Sequence, residues 1–492
     1  MPLTGSLTTD EQRVVDAAPK DLLVGGEWRA AEAGRSLAVD DPATGRQLAE
    51  VADASPADAM AALGAADAAQ AGWASTPARE RGEILRRSWQ LMTERVEDLA
   101  LLMTLEMGKS LEESRGEVRY AAEFFRWFGE EAVRVRGSWS ADPAGSGRLI
   151  TMRQPVGPCV LVTPWNFPLA MGTRKIGPAV AAGCTMVVKP AAETPLSMLA
   201  LAALMAEAGL PDGVLSVLPT SDAGAAVRPL LEDPRTRKLS FTGSTPVGRE
   251  LMRQASGRLL RLSMELGGNA PFLVFDDADL DAAVDGAVVA KMRNIGQSCV
   301  AANRFHVQQG VYDEFCARLA DRLSALEVGR GTGPGSPVGP LITRRQRDKV
   351  TELVDDAVAH GATVLTGGAA VDGPGAFFAP TVLRDVAAGS RCLAEEVFGP
   401  VAPVTPFGSE DEGLALANAS EVGLVAYAFT RDLARGVRVM EGLQTGMVGL
   451  NRGLVSNPAA PFGGVKQSGF GREGGEEGIE EYVNVKYVAL QA

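Results

Sequence analysis

The sequence predicts an α/β protein built on a parallel sheet with helices on both faces, and three observations carry that expectation. From residue 155 onward, short apolar runs alternate with segments of helical spacing, and strands separated by crossovers of that length pair in parallel and are buried on both sides. The chain has 492 residues, more than one hydrophobic core organises, so two or three domains are expected. Hydrophobic residues make up 46% and charged residues 22%, the balance of an ordinary soluble globular protein.

The first third reads as a short strand pair followed by helices. Ser55-Pro56-Ala57-Asp58 is a helix start, with Ser as N-cap, Pro at the first helical position and an acid at the positive end. The apolar spacing from Glu80 to Met107 predicts one helix. It closes on Gly108-Lys109-Ser110, the last letters of a phosphate-binding loop, but position 103 is Met103 where that loop needs glycine, so the triplet is read as a helix end. Residues 136–154 begin Arg136-Gly137-Ser138-Trp139 and continue into the β-like run Leu149–Met152, an excursion out of the first domain and back. Then come a strand at Cys159–Thr163, a helix at Phe167–Ala182, a strand at Thr185–Val188 and a helix at Leu196–Ala208. Strands at Val214–Leu218 and Lys238–Phe241, a helix at Thr245–Ala255 and a strand at Leu260–Glu265 complete the pattern. Open sheets of this kind bind ligands at the carboxyl ends of their strands.

Composition removes several function classes. The formal net charge is −13 and no basic stretch is concentrated, so nucleic acid is not an expected partner. The longest nearly apolar stretch, Ile176–Val188, is bounded by Lys175 and Lys189, too short for a membrane span of ~20 residues. Met1–Lys20 is polar and acidic and lacks a signal-peptide core, and a cytoplasmic location is expected by elimination. The five cysteines (Cys159, Cys184, Cys299, Cys316, Cys392) are scattered and imply neither a disulfide framework nor a zinc ribbon. With His306 and His360 the only histidines, no His-rich metal site is expected. His306 reads as a buried strand residue and His360 as a helix-end cap.

Four stretches carry candidate chemistry. In Thr163-Pro164-Trp165-Asn166-Phe167-Pro168 an amide is held between two prolines after a strand; it is either a turn Asn or a stiffly presented oxyanion donor. In Phe241-Thr242-Gly243-Ser244-Thr245-Pro246-Val247-Gly248 a strand ends, Gly243 permits close backbone approach, Ser244 offers a hydroxyl and Pro246 starts a helix. That is a phosphate site or an ordinary capped helix. Glu265 stands at a strand end before Gly267-Gly268. Cys299 lies among Gln297, Ser298 and Asn303, unusual company for a cysteine that would otherwise be an inert core residue. The literal G-x-G-x-x-G at Gly469–Gly474 lacks a preceding buried strand and is read as a loop.

Taken together and in order, P-W-N-F-P, F-T-G-S-T-x-x-G, E-L-G-G, G-Q-S-C, Glu395-Glu396-Val397-Phe398-Gly399-Pro400 and Pro461-Phe462-Gly463-Gly464 resemble the aldehyde dehydrogenases over nearly the whole chain. The resemblance implies a Rossmann-like cofactor domain (20–135 and 155–265), an α/β catalytic domain (266–450) and a substrate-loop segment (451–475). It further implies a small β oligomerisation extension (136–154 with 476–492) that makes a homodimer or homotetramer. It implies Cys299 as nucleophile, Glu265 as general base, and Asn166 with the Cys299 N–H as the oxyanion hole. NADP or NAD would be held by Thr163, Trp165 and Asn166, by Lys189 and Ala192 at the adenosine ribose, by Gly243, Ser244, Gly248 and Leu266, and by Glu396 and Phe398 at the nicotinamide half. No histidine is needed for such chemistry.

Residues matching Arg174, Arg293 and Ser456 hold the substrate carboxylate in succinate-semialdehyde dehydrogenases, so the resemblance implies oxidation of succinate semialdehyde to succinate. Glutarate semialdehyde, or a broader range of aldehydes, is the alternative, since one methylene is worth only ~1–3 kcal/mol of discrimination. Two guanidinium groups and a hydroxyl suit a planar anion; local salt bridges at each Arg are the competing reading. Where NAD-preferring relatives often carry Glu, this chain has Ala192, which leads to the expectation that NADP is accepted. Ala301 stands where some relatives have a second cysteine, so no redox-switch disulfide is expected at Cys299. A thiol esterase and a non-catalytic structural protein are the distant alternatives.

Overall fold

A computed structural model describes residues 7–335 and 338–491. Residues 1–6, part of the stretch read for a leader, and Ala492, the last residue of the expected extension, lie outside the described residues.

Two large sheets organise the chain. The first runs, in spatial order, Glu27–Arg29, Leu22–Val24, Leu215–Val217, Met186–Lys189, Cys159–Val162, Lys238–Thr242, Arg261–Glu265 and Gly469–Phe470. Its five central strands are parallel and its outer strands antiparallel. Alternate residues face opposite layers: Cys159 and Leu161 join one apolar cluster, Val160 and Val162 the other. The second sheet runs Thr363–Thr366, Thr381–Arg384, Val401–Phe407, Ala302–Gln308, Ala270–Val274, Val425–Phe429 and Met447–Leu450, parallel except at its first strand. Here Phe272 and Val274 face one cluster while Leu273 and Phe275 face the other. A separate antiparallel sheet joins Ser138–Ala141, Arg148–Pro155 and Val483–Leu490.

The expected strands between residues 155 and 265 form within a residue or two of their predicted ends. Ser55 caps its helix as expected: its hydroxyl accepts the Asp58 N–H at 3.1 Å while Asp58 accepts the Ser55 N–H at 3.0 Å. Three expectations are corrected. The segment 80–107 is two helices, Ala78–Glu94 and Val96–Met107, broken at Arg95, whose guanidinium pairs with Glu207 at 2.6 Å. The first buries one stripe and Leu102–Met107 are buried all round, which one straight helix cannot place in this core. The helix after Asn166 starts at Ala170, because the N–H groups of Leu169 and Ala170 are taken by the carboxylate of Glu117. Gly469–Phe470, inside the stretch read as loop, is a two-residue edge strand opposite Met264 and Glu265.

His306 is buried in its strand with Nδ1 2.7 Å from Thr405 Oγ1, and burial pushes its imidazolium down to about 3, so it stays neutral. His360 caps the helix Arg344–Ala359. All five cysteines are free. Among the described residues no group of three or more His, Cys, Asp or Glu could hold a metal ion, and no helix is long and apolar enough to cross a membrane.

Candidate active site

Strand ends of both sheets bring the motif residues close enough together for Cys299 to feel the charges of Arg174, Glu396, Glu265 and Arg293. Cys299 follows a turn, Arg293–Gly296, in which Asn294, Ile295 and Gly296 have φ of 58°, 61° and 73°. Left-handed backbone costs roughly 1–2 kcal/mol at each non-glycine residue. The surroundings enforce it. Asn294 Nδ2 donates to the main-chain oxygens of Asn166 (2.9 Å) and Gln297 (2.8 Å), and Gln297 Oε1 accepts the Ile342 N–H at 3.0 Å. A Cβ on Gly296 would stand 2.2 Å from the Gly399 oxygen, so the turn is locked against the loop that carries Glu396 and Phe398.

Asn166 faces this turn. Its Nδ2 donates to Gln297 O at 3.1 Å, which fixes the amide's orientation and leaves the second N–H of that nitrogen without an acceptor among the described residues. The Cys299 N–H finds no acceptor among the described residues. Two donors are thus available beside one half-buried thiol.

Glu265 ends its strand 2% exposed, with neither carboxylate oxygen hydrogen-bonded. Burial first, and the charge of Glu473 second, push its acid well above the usual range, against the pull of Arg174, Lys175 and Arg472. Burial also raises the Cys299 thiol to about 12, against the pull of Arg174. At neutral pH the resting thiol is therefore protonated. Alkylation of free Cys299 by iodoacetamide should consequently climb with pH from about 6 to about 10, since the thiolate fraction grows until its pKa is passed. A rate that levels off below about pH 9 would contradict this assignment.

The three expected carboxylate ligands are not equivalent. Arg293 Nη1 donates to Ser456 Oγ at 3.1 Å, and its guanidinium lies over the rings of Phe167 (5.0 Å) and Tyr120 (5.7 Å). It has no ion-pair partner among the described residues. Arg174 is buried, stacked on Phe462 at 4.1 Å, and bonded through Nε to Glu473, so the competing salt-bridge reading holds there, with Nη2 left unpartnered. Lys175 bonds the other oxygen of Glu473 and donates to Ser240 Oγ at 2.9 Å. Sequence reasoning missed Glu473 and Tyr120. Glu473 stands in the glycine stretch and its partners are about 300 positions away, a distance at which no local pattern exists.

The expected cofactor residues stand at strand ends of the first sheet and on the Glu396–Phe398 segment. Thr163 donates its N–H to Lys189 O at 3.1 Å, and Trp165 meets Phe398 edge-on at 5.4 Å. Ser244 begins the helix Thr245–Ser256, yet its hydroxyl caps no N–H of that helix, and Thr242 Oγ1 is buried without a partner. Gly248 packs against Leu266. At Gly243 a Cβ would also strike the Phe241 ring at 2.5 Å. Lys189 Nζ has no hydrogen bond among the described residues; the only acid acting on it is exposed Glu193, with Ala192 between them. Burial raises the Glu396 acid to about 7. A free ammonium, free hydroxyls and a bare helix N-terminus fit a phosphorylated dinucleotide.

Residues 28–488 match the Aldehyde dehydrogenase family. A succinate-semialdehyde dehydrogenase of Paenarthrobacter nicotinovorans is 59% identical over 90% of this chain and 98% of its own. A glutarate-semialdehyde dehydrogenase of Pseudomonas putida is 50% identical over 95% of this chain and 97% of its own. The crystal structure of an NADP-dependent enzyme of E. coli superposes with a TM-score of 0.96 at 49% identity, covering 97% of this chain and 99% of that one.

Proposed function

The chain belongs to the aldehyde dehydrogenase family, and from that premise we propose that it oxidises succinate semialdehyde to succinate with NADP or NAD as acceptor. Glutarate semialdehyde is the alternative substrate, and a relative acting on it is equally at home in this family. The observation that carries the choice of an acidic aldehyde is Arg293. It sits on the nucleophile's own turn, donates to Ser456 at 3.1 Å and makes no ion pair among the described residues, with Glu113 a carboxylate within reach of its charge. A substrate carboxylate would complete that pair, with the unpartnered Nη2 of Arg174 as a further donor.

The residues have these roles in the proposal. The Cys299 thiol loses its proton to solvent water and the sulfur adds to the aldehyde carbon, giving a thiohemiacetal oxyanion that accepts hydrogen bonds from the Asn166 side-chain N–H and the Cys299 main-chain N–H. Each such donor is worth roughly 3–4 kcal/mol in a dry site. A bound nicotinamide supplies an acceptor for the hydride that leaves this carbon. The thioester left on Cys299 is cleaved by water, whose proton passes to Glu265. Burial keeps that carboxylate basic enough to accept it.

Lys189, Ala192 and Ser244 would bind the adenosine half, and Glu396 and Phe398 the nicotinamide half. Ala192→Glu should raise KM for NADP about tenfold or more, ~1.4 kcal/mol, while leaving KM for NAD nearly unchanged, because the new carboxylate faces a 2′-phosphate. Initial rates with both cofactors check this. The exposed Trp139, Val485 and Tyr487 of the three-stranded sheet support assembly with further copies of the chain as a dimer or tetramer. Five unpaired cysteines and a nucleophilic thiol support a reducing, cytoplasmic setting. The deciding experiment is kcat/KM for succinate semialdehyde, glutarate semialdehyde and unbranched neutral aldehydes, each with NADP and NAD. A preference for neutral aldehydes would overturn the proposal.

A further inference from the structure

Lys109 and Glu117 form an ion pair in which neither residue is more than 2% exposed. A buried pair of this kind is weak support for a fold, since apolar residues of similar volume often do as well or better. The contacts around the pair suggest another use. Lys109 Nζ also donates to the main-chain oxygen of Asn166 at 2.8 Å and lies 4.3 Å over the Phe167 ring. One oxygen of Glu117 takes the ammonium; the other accepts the N–H groups of Leu169 at 3.0 Å and Ala170 at 3.2 Å. The pair thus grips the Asn166–Ala170 turn at both ends, the carbonyl where it begins and the bare helix start where it closes.

Lys109 reaches this place through the helix end seen in the sequence. Gly108, at φ 95°, turns the chain out of the helix Val96–Met107, and Ser110 caps the next one. The main chain at Lys109 is held in turn: a Cβ on Gly331 would stand 2.2 Å from the Lys109 oxygen. A second grip on the same Asn166 oxygen comes from Asn294, on the nucleophile turn. The bond from Asn166 Nδ2 to Gln297 fixes how the amide is rotated. Where its Cα stands is left to the residues that hold the Asn166 carbonyl.

We propose that Lys109 and Glu117 are positioning residues that set the place of the Asn166 amide relative to Cys299. The inference rests on the reading of Asn166 as oxyanion donor. A donor is useful only within hydrogen-bond range of the oxygen as it becomes charged, and a shift of about 1 Å can cost on the order of 10²-fold in rate. The pair touches no reacting atom, and its loss acts through Asn166.

The test is a double-mutant cycle. Lys109→Met with Glu117→Leu removes both charges together and keeps the volume, so neither charge is left buried alone. Measured by thermal melting, this doubly substituted protein should still unfold cooperatively but below the parent, because the Leu169 and Ala170 N–H groups lose their buried acceptor. Its kcat should fall about 10- to 10²-fold with KM for the aldehyde changed less than about threefold. Iodoacetamide should alkylate Cys299 at the parental rate, since the thiol itself is untouched. In an Asn166→Ala background the two substitutions should have no further effect on kcat. If Asn166→Ala lowers kcat while the paired substitution does not, or lowers it equally with and without Asn166, the positioning role is overturned and the donor reading stands. If Asn166→Ala keeps the parental kcat, both fall together.

Discussion

Cys299→Ala should lower aldehyde-dependent cofactor reduction to about 10⁻⁴ of the parent or below, whereas Glu265→Gln should still release one equivalent of reduced cofactor per site and then stall. The two variants separate the halves of the reaction. Without the sulfur no covalent intermediate forms and hydride has no activated carbon to leave, so both the burst and the steady rate vanish. Without the carboxylate the thioester still forms but water is not activated. A general base contributes about 10²–10⁴ to such a step, and the steady rate should fall by that factor. The neutral amide is tolerated at position 265 because neither oxygen of Glu265 has a hydrogen bond to lose among the described residues. Rapid-mixing measurement of reduced cofactor resolves burst from steady state. Loss of the burst along with the steady rate in Glu265→Gln would make Glu265 the base for Cys299 itself and overturn its assignment to water.

What the sequence made legible was what local pattern can carry. Short apolar runs such as Cys159–Thr163, separated by segments of helical spacing, were enough to predict a sheet covered on both faces, and Ser55 with Asp58 enough to place a helix start. The motif residues were legible because each stands where a strand or turn ends, a place marked by glycine or proline. The unread features all depend on partners far along the chain. Arg95, where the helix breaks, pairs with Glu207, 112 positions away; the late helix start at Ala170 answers to Glu117, 53 positions away. Gly108-Lys109-Ser110 was rightly read as a helix end, but the pattern that located the triplet contained nothing about Asn166, which its lysine grips. Glu473 is the sharpest case. Nothing near it predicts that it neutralises Arg174 and Lys175 together, and that pairing changes which arginine is left for a substrate.

That difference decides the second large effect. Arg293→Ala should lower kcat/KM for succinate semialdehyde by about 10²- to 10³-fold, ~3–4 kcal/mol, and change it little for a neutral aldehyde of equal length. The loss is that of a desolvated charge pair, and it falls on binding of the acid, so KM carries most of it. Arg174→Ala is a poorer probe, although the sequence treats the two arginines alike. Removing Arg174 leaves Glu473, 4% exposed, with Lys175 as its remaining partner, and a buried carboxylate short of counter-charge is costly to the fold. It also removes the cation that most strongly lowers the Cys299 thiol, so all aldehydes should slow together in that variant. Arg293 carries a smaller debt: it bonds Ser456, leans on two aromatic rings and makes no ion pair among the described residues, and Glu113, the buried acid its charge reaches, keeps the Asn294 N–H and the charge of Lys109. Ser456→Ala should show the same selectivity in weaker form, a loss of about tenfold or less for the acid substrate, because one neutral donor is removed and the guanidinium remains. Equal losses on acidic and neutral aldehydes in Arg293→Ala would mean that the guanidinium supports the Asn294–Cys299 turn rather than the substrate, and the carboxylate would have to be sought elsewhere in the cleft.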